Sequence, residues 1–167
     1  MLLSLLLLVL CLVGCDDFLS QEIEIQILSR DPFTNVSYVD NYDGDTITVN
    51  LPSKTIPDVF RKEISVRVRH IDTAEMTSRI QCERDMARKA KKAVTALLLD
   101  AKRIDLENVT RDKYFRLLAD ITVYQRDNSR INVSKFLLKQ GLAVPYDGGT
   151  KLKVSWCGML QQYRSQN

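Results

Sequence analysis

One histidine, His70, is all that the 167 residues provide, so no mechanism that needs two imidazoles is open to this chain. His70 itself reads as a structural or exposed residue. No Ser, His and Asp fall into an arrangement that suggests a nucleophilic triad, and the run Gly148-Gly149-Thr150-Lys151 lacks the spacing of the phosphate-binding loop of nucleoside triphosphatases. Cys/His clusters are missing too, and the four cysteines stand at spacings foreign to a zinc site. There is no internal repeat, and no low-complexity tract beyond the first residues. Neither sign of charge dominates: 24 Lys and Arg against 21 Asp and Glu leave +3, which permits a polyanionic partner without requiring one. The remainder, 45% hydrophobic and 27% charged, is the composition of one globular domain with a real core.

From Met1 to Cys15 no side chain is charged and most are Leu or Val, which reads as the apolar region of a secretory signal. At about 14 residues the run is short for a membrane span, which needs roughly 20. Leu12-Val13-Gly14-Cys15 resembles the lipobox of bacterial lipoproteins. That resemblance implies cleavage before Cys15, acylation of Cys15, and a protein exported to the cell envelope, its domain tethered by lipid in the periplasm or outside the cytoplasmic membrane. Residues 15–32 then form a tether and residues 33–160 the folded domain. Residues 161–167 close the chain as a tail, with a short helix as the alternative for the C-terminal segment. With Cys11 removed and Cys15 acylated, Cys82 and Cys157 remain, either as a disulfide in an oxidising compartment or as two separate buried thiols.

Hydrophobic periodicity sets out the elements. Two strands flank the Asp43-Gly44 turn, with Ile47, Val49 and Leu51 alternating with polar residues, and Ile64, Val66 and Val68 mark a third. Between Ser78 and Ala101 the period becomes helical, with Met86, Ala90, Val94 and Leu97 on one face. Arg84, Arg88, Lys91 and Lys92 read as its solvated side. Two further strands follow, separated by the charged turn Arg111-Asp112-Lys113. A short helix comes next, capped by Asn132, stapled by Ile131 onto Phe136 and closed by Gly141. Short strands in runs with an inserted helix predict a mainly β fold: a five-stranded barrel of the oligonucleotide-binding (OB) kind with two to three packed helices.

Side chains alternate across a strand, so Asp45 shares its face with Ile47, Val49 and Leu51, and Asp72 shares one with Val66 and Val68 if the strand runs on regularly. Two inward carboxylates at strand ends call for a partner, and oxygen donors suit a hard cation such as calcium or magnesium. The plainer alternative is that Asp45 only serves the turn. The same parity sets Arg67 opposite Asp72 unless the chain bulges between them.

Four motifs in order, DGDT from Asp43, RVRHIDTAE from Arg67, DKYFRLLA from Asp112 and NVSKFLLKQGLA from Asn132, resemble the staphylococcal, thermonuclease-like nuclease family over Val36 to Tyr146. The resemblance implies a calcium-dependent, sequence-nonspecific endonuclease, monomeric, that hydrolyses phosphodiester bonds of DNA to 3′-phosphate ends, with RNA an open alternative substrate. Carried over residue by residue, it makes Asp45 and Asp72 the calcium carboxylates, the Thr73 carbonyl a further ligand, and Asp43 a supporting acid. Glu75 takes the part of the acid that activates or orients water, and Arg67 and Arg116 hold the scissile phosphate. Lys113 and Tyr114 match contacts to a neighbouring phosphate, and Tyr146 a tyrosine beside the base. The chain departs from the family pattern at Ala74, where Pro is usual, at Phe115, where Gly is common, and in having no evident match, after Tyr146, for the second tyrosine that follows the GLA segment in the best-known members. The rival reading from another class is a non-catalytic OB-fold lipoprotein that binds single-stranded nucleic acid.

Overall fold

The computed structural model describes residues 33–52, 57–151 and 153–166; the lipoprotein signal, Cys15 and the 15–32 tether lie outside them. β1 (Ser37–Asn41) and β2 (Thr46–Asn50) pair antiparallel around the Asp43-Gly44 turn, and β3 (Ile64–Val68) pairs antiparallel with β2. Ile47, Val49, Val66 and Val68 are buried, as the alternation predicts. After the two-residue β4 (Ile71–Asp72) comes α1 (Gln81–Leu99), which buries Met86, Ala87, Ala90, Val94, Leu97 and Leu98 along one stripe. Its start is organised from outside the helix: the Ser78 hydroxyl accepts from the Ile80 amide at 3.1 Å and donates to Glu83 at 2.7 Å.

β5 (Arg103–Arg111) and β6 (Leu117–Tyr124) form the longest antiparallel pair, and β7 (Arg130–Asn132) adds to β6. The main path of the sheet runs β1-β2-β3-β6-β5. Only the β3–β6 pairing along it is parallel, with Arg67 level with Leu118. The chain entering β1 also reaches the opposite edge, since Val36 donates to the Ile104 carbonyl at 2.9 Å and Phe33 and Leu106 exchange bonds of 3.0 and 2.9 Å. The chain before β1 is thereby joined to β5, and the mixed sheet, with α1 packed against β1, is an OB fold.

α2 (Val133–Lys139) follows its sequence signals closely. The Asn132 side chain accepts from the Lys135 amide at 3.0 Å, and Gly141 takes a φ of 64° that lets Leu142 bond back to the Leu137 carbonyl at 2.9 Å. β8 (Val144–Pro145) then pairs with β4, placing Val144 opposite Asp72. α3 (Trp156–Gln166) runs through the residues assigned to a tail, so the helical alternative holds there. The reason is packing: Trp156 and Leu160 are buried, and a disulfide ties Cys157 in α3 to Cys82 in α1 with 5.2 Å between their Cα atoms. Of the two readings of these cysteines, the bonded pair is the one found. Among the described residues no helix is long and apolar enough to cross a membrane.

Gly44 shows why the turn before β2 tolerates no side chain. A Cβ there would lie 2.6 Å from the Ala90 Cβ and 2.9 Å from the Thr73 Cγ2, so the turn is pressed between α1 and the segment after β4. Gly44→Ala is expected to cost about 1–3 kcal/mol, the usual range for overpacking. Urea denaturation checks this, and an unchanged midpoint would show that the turn can move away from α1.

Candidate active site

The Asp43-Gly44-Asp45 turn is held by residues on three sides. Asn41, fully buried, donates to the Asp43 carbonyl at 2.8 Å and to the Lys91 carbonyl at 3.2 Å, and its Oδ1 accepts from the hydroxyls of Tyr38 and Thr95. The Asp43 carboxylate accepts from the Asp45 amide at 3.1 Å. Asp45 is 1% exposed and points inward as its parity requires. One of its oxygens accepts from the amide of Thr73 at 2.7 Å and from the hydroxyl of Thr73 at 2.9 Å, while the other is ion-paired with Arg67. Thr73 thus meets Asp45 through its N–H and O–H.

Arg67 reaches both acids because the strand does not run on regularly. β3 stops at Val68, and His70 adopts a φ of 69°, a left-handed conformation that turns the chain before β4. That turn undoes the parity which sets Arg67 and Asp72 on opposite faces. The Arg67 guanidinium donates to the Ile71 carbonyl at 3.1 Å and to Asp72 at 3.0 Å while pairing with Asp45. The His70 side chain is itself largely exposed, 3.8 Å from Asp120.

Arg116 arrives through the parallel register, which levels Leu117 with Val66 and so sets Arg116 beside the strand that carries Arg67. It is aimed by Asp112, which accepts from the amides of Tyr114 at 2.8 Å and Arg116 at 3.0 Å and from the Arg116 guanidinium at 2.8 Å. Burial pushes the Asp112 carboxyl up, but these donors outweigh it and hold it below the usual carboxylate range. The residue at the family's glycine position, Phe115, keeps a positive φ of 62° with its ring exposed, so the turn retains the left-handed geometry that a glycine would adopt freely.

These side chains face one cleft of about 950 Å³, lined by Asp43, Arg67, Glu75, Lys113, Tyr114, Arg116 and Tyr146 together with Asp112 and Lys151. Tyr146 is fixed by its amide, which donates to the His70 carbonyl at 3.0 Å, and by its hydroxyl on the Gly149 carbonyl at 2.9 Å. Tyr114 stands exposed, with the Lys113 ammonium 5.4 Å and the Arg116 guanidinium 5.6 Å from its ring centre. Asp45, Asp72 and Thr73 lie buried beneath Arg67 rather than along the cleft wall. Two buried carboxylates bridged by one guanidinium, with a second arginine and an exposed acid in the cleft above, suit a reaction at a phosphate group.

A family model described as staphylococcal nuclease homologue matches residues 65–155, more than half of the chain. The chain belongs to that family. The matched stretch of this staphylococcal nuclease homologue takes in Arg67, Asp72, Thr73, Glu75, Lys113, Tyr114, Arg116 and Tyr146, and begins after Asp43 and Asp45. Membership supports a nuclease-like or nucleic-acid-binding function. Comparison with curated proteins gives no match.

Three members of this site were not picked out from sequence. Asn41 and Asp112 act on the backbone of the two turns, and the only signal was a short polar residue at each turn start. Lys151 is the third: its ammonium lies 3.0 Å from Asp72 and 2.7 Å from Glu75. Burial lowers the Lys151 pKa, and the hydrogen bonds to Glu75 and Asp72 outweigh it and raise it.

Family members are typically calcium-dependent, and the residues present fit a hard cation in donor chemistry. Four carboxylates, Asp43, Asp45, Asp72 and Glu75, face two basic side chains, Arg67 and Lys151. Negative charge is therefore in excess. Burial, with the charge of Glu75 adding to it, pushes the Asp43 carboxyl up against the opposing pull of Arg67. Among the described residues no three or more His, Cys, Asp or Glu side chains are grouped so that they could hold a metal ion by themselves. A cation would rest on Asp45 and Asp72 with backbone and water oxygens completing its shell.

Proposed function

We propose that this protein is a calcium-dependent nuclease that hydrolyses phosphodiester bonds of DNA with little sequence preference, RNA being left as an open alternative substrate. The observation that carries the reading is the bridging of Asp45 and Asp72 by Arg67 at the floor of the cleft that holds Glu75 and Arg116. Arg67 and Arg116 grip the scissile phosphate through guanidinium hydrogen bonds, which strengthen as its oxygens gain charge. Glu75 accepts a proton from a water in line with the P–O5′ bond. The water oxygen bonds to phosphorus, the P–O5′ bond breaks, and the products are a 3′-phosphate and, once the leaving oxygen is protonated, a 5′-hydroxyl. Asp45, Asp72 and the Thr73 carbonyl would hold a calcium ion, which would supply further positive charge at the phosphoryl group. Lys113 and Tyr114 meet the adjoining phosphate and Tyr146 a base, and contacts of this kind select for backbone rather than sequence.

The same proposal has the domain work as a monomer, exported and held to the membrane by lipid on Cys15. The Cys82–Cys157 disulfide supports an oxidising compartment. Digestion of single- and double-stranded DNA with calcium or with a chelator, beside Glu75→Gln, tests the activity. Cleavage is expected only with calcium, and the variant is expected to lose about 10²–10⁴-fold in kcat, the range of a general base. Intact DNA under folded, calcium-loaded conditions would favour the non-catalytic single-strand-binding reading instead.

A further inference from the structure

Lys151 belongs neither to the four motifs nor to any of the roles assigned above, yet it makes the closest charged contacts of Glu75. Its Nζ sits 2.7 Å from Glu75 Oε1 and 3.0 Å from Asp72 Oδ1, the same oxygen that accepts from Arg67 at 3.0 Å. The two acids and the lysine are far apart in sequence, and the fold delivers the lysine on a short strap. That strap leaves β8 at Tyr146, is pinned at its start to the His70 carbonyl, and is folded on itself by the Tyr146 hydroxyl on Gly149 and by the Gly149 amide on Asp147 at 3.0 Å. Beyond Lys151, Cys157 is bonded to Cys82, in the helix that follows Glu75. Both ends of the lysine segment are therefore fastened to the part of the chain that carries the acids.

We propose that Lys151 is a tethered competitor for the divalent cation, holding the shared edge of Asp72 and Glu75 until a cation binds at Asp45 and Asp72 and displaces it. This rests on the cation site of the proposed function. One carboxylate oxygen of Asp72 already serves two positively charged donors, and a divalent ion beside it would stand within repelling distance of the ammonium. Exchange relieves that repulsion. The ammonium, still strapped to the cleft, is then free to meet a substrate phosphate beside Arg116. Lys151 would thus set the calcium concentration at which the site fills, and cation and nucleic acid would bind more tightly together than apart, a coupling that is reciprocal.

Calcium titration of the full chain by calorimetry, without nucleic acid, tests this. Lys151 is half exposed, so Lys151→Ala leaves the packed core untouched. The expected result is calcium binding about three- to tenfold tighter in Lys151→Ala, the range for losing two partly exposed ion pairs. Lys151→Arg is expected to stay near the parent, and so is Lys153→Ala, which removes the same charge from an exposed neighbour. Equal or weaker binding in Lys151→Ala, or equal tightening in Lys153→Ala, would overturn the proposal while leaving the cation site standing. Absence of calcium binding in every protein, the parent included, would overturn both.

Discussion

Exchanging Arg67 for Ala is expected to lower cleavage by about 10³-fold, the upper range for loss of one preorganised donor, and to destabilise the calcium-free domain by about 3–5 kcal/mol. The second effect follows from burial. Asp45 is 1% exposed and Asp72 7%, and Arg67 is the side chain that pairs with both. Without it Asp45 keeps its hydrogen bonds from Thr73 but loses its positively charged partner, and Asp72 keeps only the half-exposed Lys151. Calcium should recover part of the loss at neutral pH, because a cation between Asp45 and Asp72 supplies the missing charge. Urea denaturation with calcium and with chelator measures the loss and its recovery. A variant as stable as the parent at neutral pH would mean that the two acids are not a coupled pair.

The second large effect is expected from Cys82→Ser with Cys157→Ser. The bond closes a loop across a sequence separation of 75 residues, and in the chain-entropy model a loop of that length is worth about 4.5 kcal/mol. That is a large share of the stability of a domain this size. Stability measured in urea should fall by that order, and the parent treated with reductant should match the double variant. A loss below about 1 kcal/mol would show that the packing of α1 on α3 holds the C-terminal helix without help. Since the bond fastens the segment beyond Lys151 to the helix beyond Glu75, its loss should also weaken the contact between those two side chains.

Much of this fold could be read from period alone. Asp45 was placed inward by the residues two, four and six positions on, and the ends of α2 by Asn132 and Gly141, because those signals are local. Asp72 was harder. Its relation to Arg67 depends on His70 at a φ of 69°, and nothing in a histidine announces a left-handed backbone. Phe115 hides the same conformation behind a residue that rarely adopts it. Lys151 could not be read at all, since its partners lie 76 and 79 residues earlier and it meets them only because β8 pairs with β4. The helical terminus of the chain was half legible: a buried Trp156 and Leu160 decide it, and burial there comes from α1.

The one parallel pairing along the main path of the sheet bears on when the cleft first comes into being. β3 and β6 stand side by side, yet the whole of α1 and β5 separates them along the chain. Arg67 and Arg116 meet only across that seam, and Lys151 joins still later. A half-synthesised polypeptide carries the cleft side chains with none of their arrangement. Whatever the cleft does, it cannot do before the C-terminal half of the chain has been made and folded back, so latency during synthesis is written into the topology.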